Sequence, residues 1–171
     1  YPLLLLLLIS NSGSFAQMAH HNPLIPDMMA DPSIEKVGDT YYCYATTDGY
    51  ANGLSTSGPP VVWTSTDFVH WRFNGIYFPA AANQLYWAPS KAIPFKGKYY
   101  LYPTIHANIY AAVADKPGGP FRLLNGSDTL EGPDAPPPVV KLAGPGGTKG
   151  IDAEVLMDDD GQAYMYWAQH G

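Results

Sequence analysis

Residues 87–102 read WAPSKAIPFKGKYYLY, and this stretch decides the fold. A short strand-forming segment at its start leads to a Lys96-Gly97 turn, and the aromatic segment YYLY follows at residues 99–102. A glycine turn between two runs of strand-forming residues predicts a β-hairpin. The tyrosines favour strands because large aromatic side chains pack well on a pleated surface.

The same pattern of a short strand, a glycine turn and an aromatic strand occurs on both sides of this stretch. The three copies are residues 31–44 (DPSIEKVGDTYYCY), 87–102 and 151–166 (IDAEVLMDDDGQAYMY), which align at Pro32, Pro89 and Ala153. A third strand is predicted at residues 61–65 in the first unit and 109–114 in the second. Units of this size at intervals of about 60 residues predict the blades of a β-propeller.

The alternative to a propeller is a set of unrelated hairpins in a β-sandwich. Residues 125–150, which are rich in Gly, Pro and Asp, are interpreted as a connection between blades. We therefore predict an all-β chain with about two and a half propeller blades, whereas a propeller typically closes with four or more.

Composition excludes several other classes of protein. Among the 171 residues, 13% are aromatic and only 14% are charged, whereas disordered chains show the opposite balance. The net charge of −6 argues against nucleic-acid binding, which needs a basic surface. Cys43 is the one cysteine, so an internal disulfide is excluded, and its position among tyrosines predicts a small buried side chain.

The beginning of the chain predicts export. Residues 3–9 are continuously apolar, which is too short to span a bilayer but suits a signal-peptide core, and small residues stand at Ser14 and Ala16. Residues 1–16 are interpreted as an incomplete signal peptide and residues 17–171 as the mature domain; the alternative is a buried N-terminal strand. We expect a secreted or periplasmic monomer without a membrane span.

Asp31 and Asp152 are the candidate catalytic residues because both stand at the start of the first strand of their unit. Innermost strands of a propeller run beside the central channel, so equivalent positions converge on one mouth. Carboxylates that meet in a cleft are the groups used in glycoside hydrolysis, as general base and general acid. For each residue alone, the alternative is an aspartate that forms a turn.

Three further residues are candidates for binding a sugar at the same mouth. Trp87 offers an indole face that packs on pyranose C–H groups, and the alternative is a tryptophan in the core of the blade. Tyr86 and His106 are predicted to line the mouth as well, although a histidine in a loop is the simpler interpretation of His106. The dispersed histidines do not have the spacing of zinc ligands.

Several motifs in this order resemble glycoside hydrolase family 43, over residues 22–171. They are residues 22–24 (NPL), 30–34 (ADPSI), 87–89 (WAP), 119–121 (GPF) and 151–154 (IDAE). The resemblance implies that the chain is an N-terminal fragment of a five-bladed propeller that cleaves glycosidic bonds with inversion. The implied substrates are plant-type polysaccharides or oligosaccharides: β-xylosides, α-L-arabinofuranosides, arabinan or β-galactosides.

The resemblance also implies a role for each aspartate. Asp31 matches the general base, and Asp152 matches the aspartate that orients the general acid and raises its pKa. The acid is a glutamate expected beyond residue 171, at about 6.5–9.5 Å from the base. Glu131 is not assigned this role because it precedes Asp152, and Glu154 is interpreted either as structural or as a residue that supports Asp152 without touching the sugar.

Two departures from the family pattern limit what the resemblance carries over. Residues 27–30 read DMMA where family members often have glycine and an aromatic residue, and Ala153 stands where many have proline. The resemblance therefore does not define the sugar subsites of this chain. The resemblance requires no cofactor, and it admits a structural calcium ion in the channel.

Two other functions compete with an exported glycosidase. A propeller that binds carbohydrate without catalysis would keep Trp87 but would not need Asp31 and Asp152. An inactive fragment is the second alternative. The 171 residues alone are expected to be inactive and poorly stable, because the acid is missing and strand edges are exposed.

Overall fold

The protein is described by a computed structural model that covers residues 23–49, 53–130, 132–140 and 149–170. These residues are almost entirely strand, turn and loop, and their one short helix is a 3₁₀ turn at Pro79–Ala81. In that part of the chain, no helix is long and apolar enough to cross a membrane. The predicted signal peptide, residues 1–16, lies outside the described residues.

The strands in the described part of the chain are short and antiparallel. They are β1 (Met29–Val37), β2 (Thr40–Gly49), β3 (Gly53–Ser57), β4 (Val61–Ser65), β5 (Arg72–Ile76), β6 (Tyr86–Trp87), β7 (Ile93–Phe95), β8 (Lys98–Leu101), β9 (Thr104–Ile105), β10 (Asn108–Ile109), β11 (Ala112–Ala114), β12 (Arg122–Leu123), β13 (Lys149–Met157) and β14 (Ala163–His170).

The first unit is a meander in the order β1-β2-β4-β5, with β3 paired to β2. Val37 pairs with Thr40 across the predicted Gly38-Asp39 turn, where Gly38 supplies a positive φ of 59°. The central strand β2 is buried continuously from Cys43 to Thr47, as expected for a strand covered on both faces. The predicted first hairpin and third strand are confirmed.

The second unit repeats the meander in the order β7-β8-β11-β12, beside a small sheet in the order β6-β9-β10. Two predicted strands are interrupted. The strand predicted to begin at Trp87 ends at that residue, two residues before Pro89, which has no N–H to donate, and strand structure resumes at β7. The strand predicted at 109–114 divides at Tyr110, whose N–H bonds the Pro103 carbonyl at 3.0 Å.

The third unit is the hairpin β13-β14. Met157 pairs with Ala163, and the Asp158 N–H closes the turn on the Gln162 carbonyl at 2.9 Å. Gly161 takes a positive φ of 82° at the predicted turn. β13 packs against β9 and β10, so the third unit continues around from the second.

A core of buried aromatic rings joins the first two units. Tyr77 is fully buried, and its ring meets Tyr44 and Phe121 edge-to-face, with centroids 5.2 and 5.8 Å apart. Its backbone bonds both units, since its N–H donates to Pro60 and its carbonyl accepts the Phe121 N–H at 2.7 Å. Such pairs stabilise a core beyond their burial alone, so Tyr77 anchors one unit to the next.

Cys43 is buried as predicted, with only 2% of its surface exposed. Burial raises the pKa of its thiol to about 11, because the thiolate would lose its hydration. Cys43 therefore behaves as a small apolar core residue.

The contact between Gly119 and the Tyr77 carbonyl predicts that Gly119→Ala is strongly destabilising. Gly119 has φ of 82°, and an added Cβ would press into that carbonyl oxygen. We expect a loss of about 3 kcal/mol in the free energy of unfolding of the full-length gene product, measured by urea denaturation.

Gly97→Ala is the matched control, because Gly97 has a similar φ of 77° but no atom within 4 Å of an added Cβ. It should lose only about 1 kcal/mol, from backbone strain alone. Equal losses for the two variants would show that the Tyr77 contact contributes nothing.

Candidate active site

Three residues with left-handed backbone mark equivalent places in the three units. Asp31, Ala88 and Asp152 have φ of 47°, 35° and 56°, and each immediately precedes one of the aligned residues Pro32, Pro89 and Ala153. The pairing register shifts at Asp31 in β1 and at Asp152 in β13, as in a β-bulge. The alignment of the repeats is therefore confirmed by the backbone.

The left-handed conformation is especially unfavourable at Asp31 and Ala88. A left-handed residue other than glycine costs about 1–2 kcal/mol, and aspartate tolerates it better than alanine. Asp31 and Ala88 also precede prolines, which favour extended backbone in the residue before them. Strain of this kind persists where surrounding contacts hold it, and it concentrates at functional sites.

The contacts that hold these residues come from two threonines. The Thr46 hydroxyl accepts the Ala88 N–H at 2.8 Å, and the Thr104 hydroxyl accepts the Asp152 N–H at 3.0 Å. Each threonine stands two residues after the last tyrosine of its aromatic segment, so the two are repeat equivalents. Each unit thereby fixes the left-handed residue of the next unit.

The Asp31 carboxylate is held by the same hydroxyl group. Thr46 Oγ1 donates to Asp31 Oδ2 at 3.0 Å. Asp31 is exposed at the surface, whereas Thr46 is only 2% exposed. The carboxylate therefore faces solvent while its oxygen is fixed from below by a buried donor.

A continuous path of contacts joins the two predicted catalytic aspartates across the second unit. Asp31 bonds Thr46, and Thr46 bonds Ala88, the residue after Trp87. Trp87 pairs in register with Thr104, whose hydroxyl binds the Asp152 backbone. The structure thus places Asp31, Trp87 and Asp152 on one connected edge of three successive units.

Sequence reasoning missed Thr46 and Thr104. The available signal was a threonine two residues beyond both tyrosine-rich segments, at residues 41–44 and 99–102. The third unit has Ala168 at this position, opposite Ile151 as Thr46 is opposite Ala30.

The predicted sugar-binding residues differ in exposure. Trp87 is half-buried, which leaves part of its surface accessible. Tyr86 is fully buried, its hydroxyl bonds the Tyr77 hydroxyl, and burial raises its pKa. A side chain without exposed surface cannot contact a sugar, so Tyr86 is a core residue and its predicted place at the mouth is corrected.

His106 lies on an exposed hairpin turn between β9 and β10. His106 and Ala107 both have positive φ, 49° and 57°, which defines a type I′ turn. The His106 Nε2 is 2.6 Å from Gln84 Oε1, so the imidazole is held against a neighbouring loop. Its predicted contact with sugar stays a prediction.

Lys91 joins the three units through ion pairs. Its Nζ lies 3.9 Å from Glu35 Oε2 on β1 and 3.7 Å from Glu154 Oε1 on β13. Burial raises the pKa of Glu35; Lys91 opposes this rise and Glu154 adds to it. Glu154 is thus part of a contact between units, in agreement with its predicted structural role.

Two other predictions are not resolved by these side chains. Glu131 lies outside the described residues. Within the described ranges, no group of three or more His, Cys, Asp or Glu side chains is arranged to hold a metal ion. The structural calcium ion stays a prediction.

Asp31 and Asp152 stand at equivalent places in the first and third units, on either side of the Trp87 segment, and a pair of carboxyl groups is what glycoside hydrolysis uses. Comparison with known proteins agrees. The model of the family Glycosyl hydrolases family 43 matches residues 20–171. The chain belongs to this family.

Individual proteins similar to this chain are also glycoside hydrolases by their names. A solved structure described as a glycoside hydrolase has a TM-score of 0.76 and 56% identity over 86% of this chain and 34% of its own. Arabinoxylan arabinofuranohydrolase of Bacillus subtilis is 28% identical over 96% of this chain and 38% of its own. Xylosidase/arabinosidase 43A of Humicola insolens is 40% identical over 52% of this chain and 23% of its own.

The predicted fold class, a partial β-propeller, is confirmed by the match to this solved structure together with the sheet order. This chain spans well under half the length of each of these three relatives.

The position of Lys91 between two carboxylates predicts a pH-dependent effect of Lys91→Met. The pKa of folded Glu35 lies above the ordinary 4.5, so near pH 4 its carboxyl is largely neutral. Removal of the Lys91 charge then costs little of the free energy of unfolding. As the pH rises to about 7, the Glu35 carboxyl ionises without the Lys91 charge beside it. The expected loss grows from near zero to about 1 kcal/mol.

Lys96→Met is the control for this experiment. The Lys96 Nζ lies 5.0 Å from the centroid of the Phe95 ring, and that ring does not titrate. Its effect on the free energy of unfolding should be the same at both pH values. A Lys91→Met loss that is also independent of pH would contradict the assigned ion pairs.

Proposed function

We propose that this chain carries part of the active site of an exported glycosidase that cleaves O-glycosidic bonds with inversion. The observation that supports the proposal best is the path from Asp31 through Thr46, Ala88, Trp87 and Thr104 to Asp152. Family membership supports the same reaction class. The active protein is proposed to be a monomer.

Asp31 acts as the general base. Its exposed carboxylate takes a proton from a water molecule as that water attacks the anomeric carbon. The bond to the leaving oxygen breaks on the opposite side of the sugar ring, so the configuration of the anomeric carbon inverts. The Thr46 bond leaves the second carboxylate oxygen, Oδ1, to the water.

Asp152 assists the residue that protonates the leaving oxygen. That general acid is proposed to be a glutamate beyond residue 171. A carboxylate nearby raises the pKa of such a glutamate, which keeps it protonated at neutral pH. The Thr104 bond fixes the backbone from which the Asp152 carboxylate extends.

The proposed substrates are glycosides of plant-type polysaccharides or their oligosaccharides. Two of the relatives above are named for action on arabinose- or xylose-containing glycosides, which supports arabinosides and xylosides. Galactosides are also proposed as substrates, because the family resemblance implies them. The Trp87 indole is proposed to stack on a sugar ring near Asp31.

Asp31→Asn in the full-length gene product tests this proposal. Loss of the base should lower kcat on chromogenic arabinosides, xylosides or galactosides by about 10²–10⁴-fold. Binding of an oligosaccharide, measured by calorimetry, should be retained. In the wild type, NMR of the first product should show the inverted anomer.

Asp39→Asn is the matched control, since Asp39 lies in the exposed turn at the other end of the β1-β2 hairpin. Its turnover should equal that of the wild type. Undiminished turnover in Asp31→Asn would refute the assigned base. Sugar binding without any turnover by the wild type would support the carbohydrate-binding alternative instead.

A further inference from the structure

We infer that Thr46 is a positioning residue for Asp31: its buried hydroxyl, oriented by the Ala88 N–H, fixes the direction in which the base presents its free oxygen. The inference rests on the proposed function, because it assigns Thr46 to the same reaction. It concerns a side chain that forms two hydrogen bonds, to Asp31 and to Ala88, in two different units.

The direction of the Thr46 hydroxyl follows from what its two partners can do. A hydroxyl donates one hydrogen bond and accepts up to two. The Ala88 N–H can only donate, so it occupies a lone pair of Oγ1 at 2.8 Å. The single hydroxyl proton is then directed to Asp31 Oδ2 at 3.0 Å.

Burial makes this contact hard to replace. Thr46 is only 2% exposed, so water has little access to substitute for the hydroxyl. The Asp31 side chain is exposed, so on its solvent side it lacks packing that would select one rotamer. The Thr46 bond thus limits the motion of a carboxylate that solvent would otherwise leave free, and small misplacements of a reacting group can lower a rate 10²-fold.

A comparison of Thr46 with Thr104 of the second unit distinguishes the positioning of Asp31 from a general role in joining the units. Thr104 makes the equivalent bond to the next unit, at the Asp152 N–H. The residue equivalent to Asp31 in that second unit is Ala88, which has no carboxylate to receive a hydroxyl proton. The bond between units is therefore common to both threonines, whereas donation to a carboxylate on the threonine's own hairpin distinguishes Thr46.

The same hydroxyl links the base to the proposed sugar platform. Ala88 directly follows Trp87, and its strained backbone, with φ of 35°, is held by Thr46. Asp31 and the Trp87 segment consequently share one anchor. This arrangement keeps the spacing between the general base and the stacked sugar ring fixed.

The test compares Thr46→Val with Thr46→Ser in the full-length gene product, on whichever chromogenic glycoside the wild type hydrolyses. Valine keeps the shape of threonine without the hydroxyl, and serine keeps the hydroxyl. We expect kcat to fall about 10–100-fold in Thr46→Val with KM within about 2-fold, and to stay within about 3-fold of the wild type in Thr46→Ser.

Thr47→Val is the matched control for stability. Thr47 is the next residue on β2, is 1% exposed, and donates its hydroxyl to the Pro59 carbonyl at 2.8 Å. It removes one hydrogen bond of a buried threonine hydroxyl, whereas Thr46→Val removes two, and it leaves the contact with Asp31 intact. Its melting temperature should fall, though by less than that of Thr46→Val, while its kcat stays at the wild-type value.

Two outcomes overturn the inference alone. One is a kcat in Thr46→Val equal to that of Thr47→Val, in a protein whose Asp31→Asn variant has lost turnover. The other is failure of serine to restore kcat in a folded protein. If Thr46→Val does not fold, Thr46→Ala replaces it, since alanine and serine both lack the methyl group and differ only in the hydroxyl.

Failure of the proposed function looks different. A wild type that hydrolyses none of the arabinosides, xylosides and galactosides, or an Asp31→Asn variant that stays active, overturns the catalytic role of Asp31 and this inference with it. The Asp31→Asn measurement therefore distinguishes the two failures.

Discussion

The buried hydroxyl of Thr46 is the interaction on which the arrangement of the candidate site depends. It joins the first unit to the second through the Ala88 N–H and holds the Asp31 carboxylate at the same time. Thr104 repeats the connection from the second unit to the third. Because each hydroxyl stabilises a strained backbone in the next unit, the placement of one aspartate is tied to that of the other.

Much of this architecture could be predicted from the sequence, because local chemistry determines it. Glycine turns at Gly38 and Gly97 set the hairpins, and tyrosine-rich segments set the strands beside them. The repeat then identified Asp31 and Asp152, since residues at equivalent places in a repeated unit occupy equivalent places in the fold. Their common left-handed backbone, at φ of 47° and 56°, agrees with that equivalence.

The remaining features depend on contacts between units, which a pattern within one unit does not reveal. Tyr86 and Trp87 are neighbours with similar sequence signals, yet the meeting of two units buries Tyr86 against Tyr77 and leaves Trp87 half-exposed. Thr46 looked like an ordinary strand residue because its partners lie 15 and 42 residues away. Within the second unit, Pro89 and the backbone bond from Tyr110 to Pro103 interrupt two strands that local propensity predicts to be continuous.

The most direct test of the account is a crystal structure of the full-length Asp31→Asn variant with an arabino- or xylo-oligosaccharide bound. The account predicts a sugar ring stacked on Trp87, between residue 31 and Asp152, with the Thr46 hydroxyl bonded to residue 31 and to the Ala88 N–H. A sugar bound away from Trp87, or a residue 31 side chain directed away from the sugar, would contradict it.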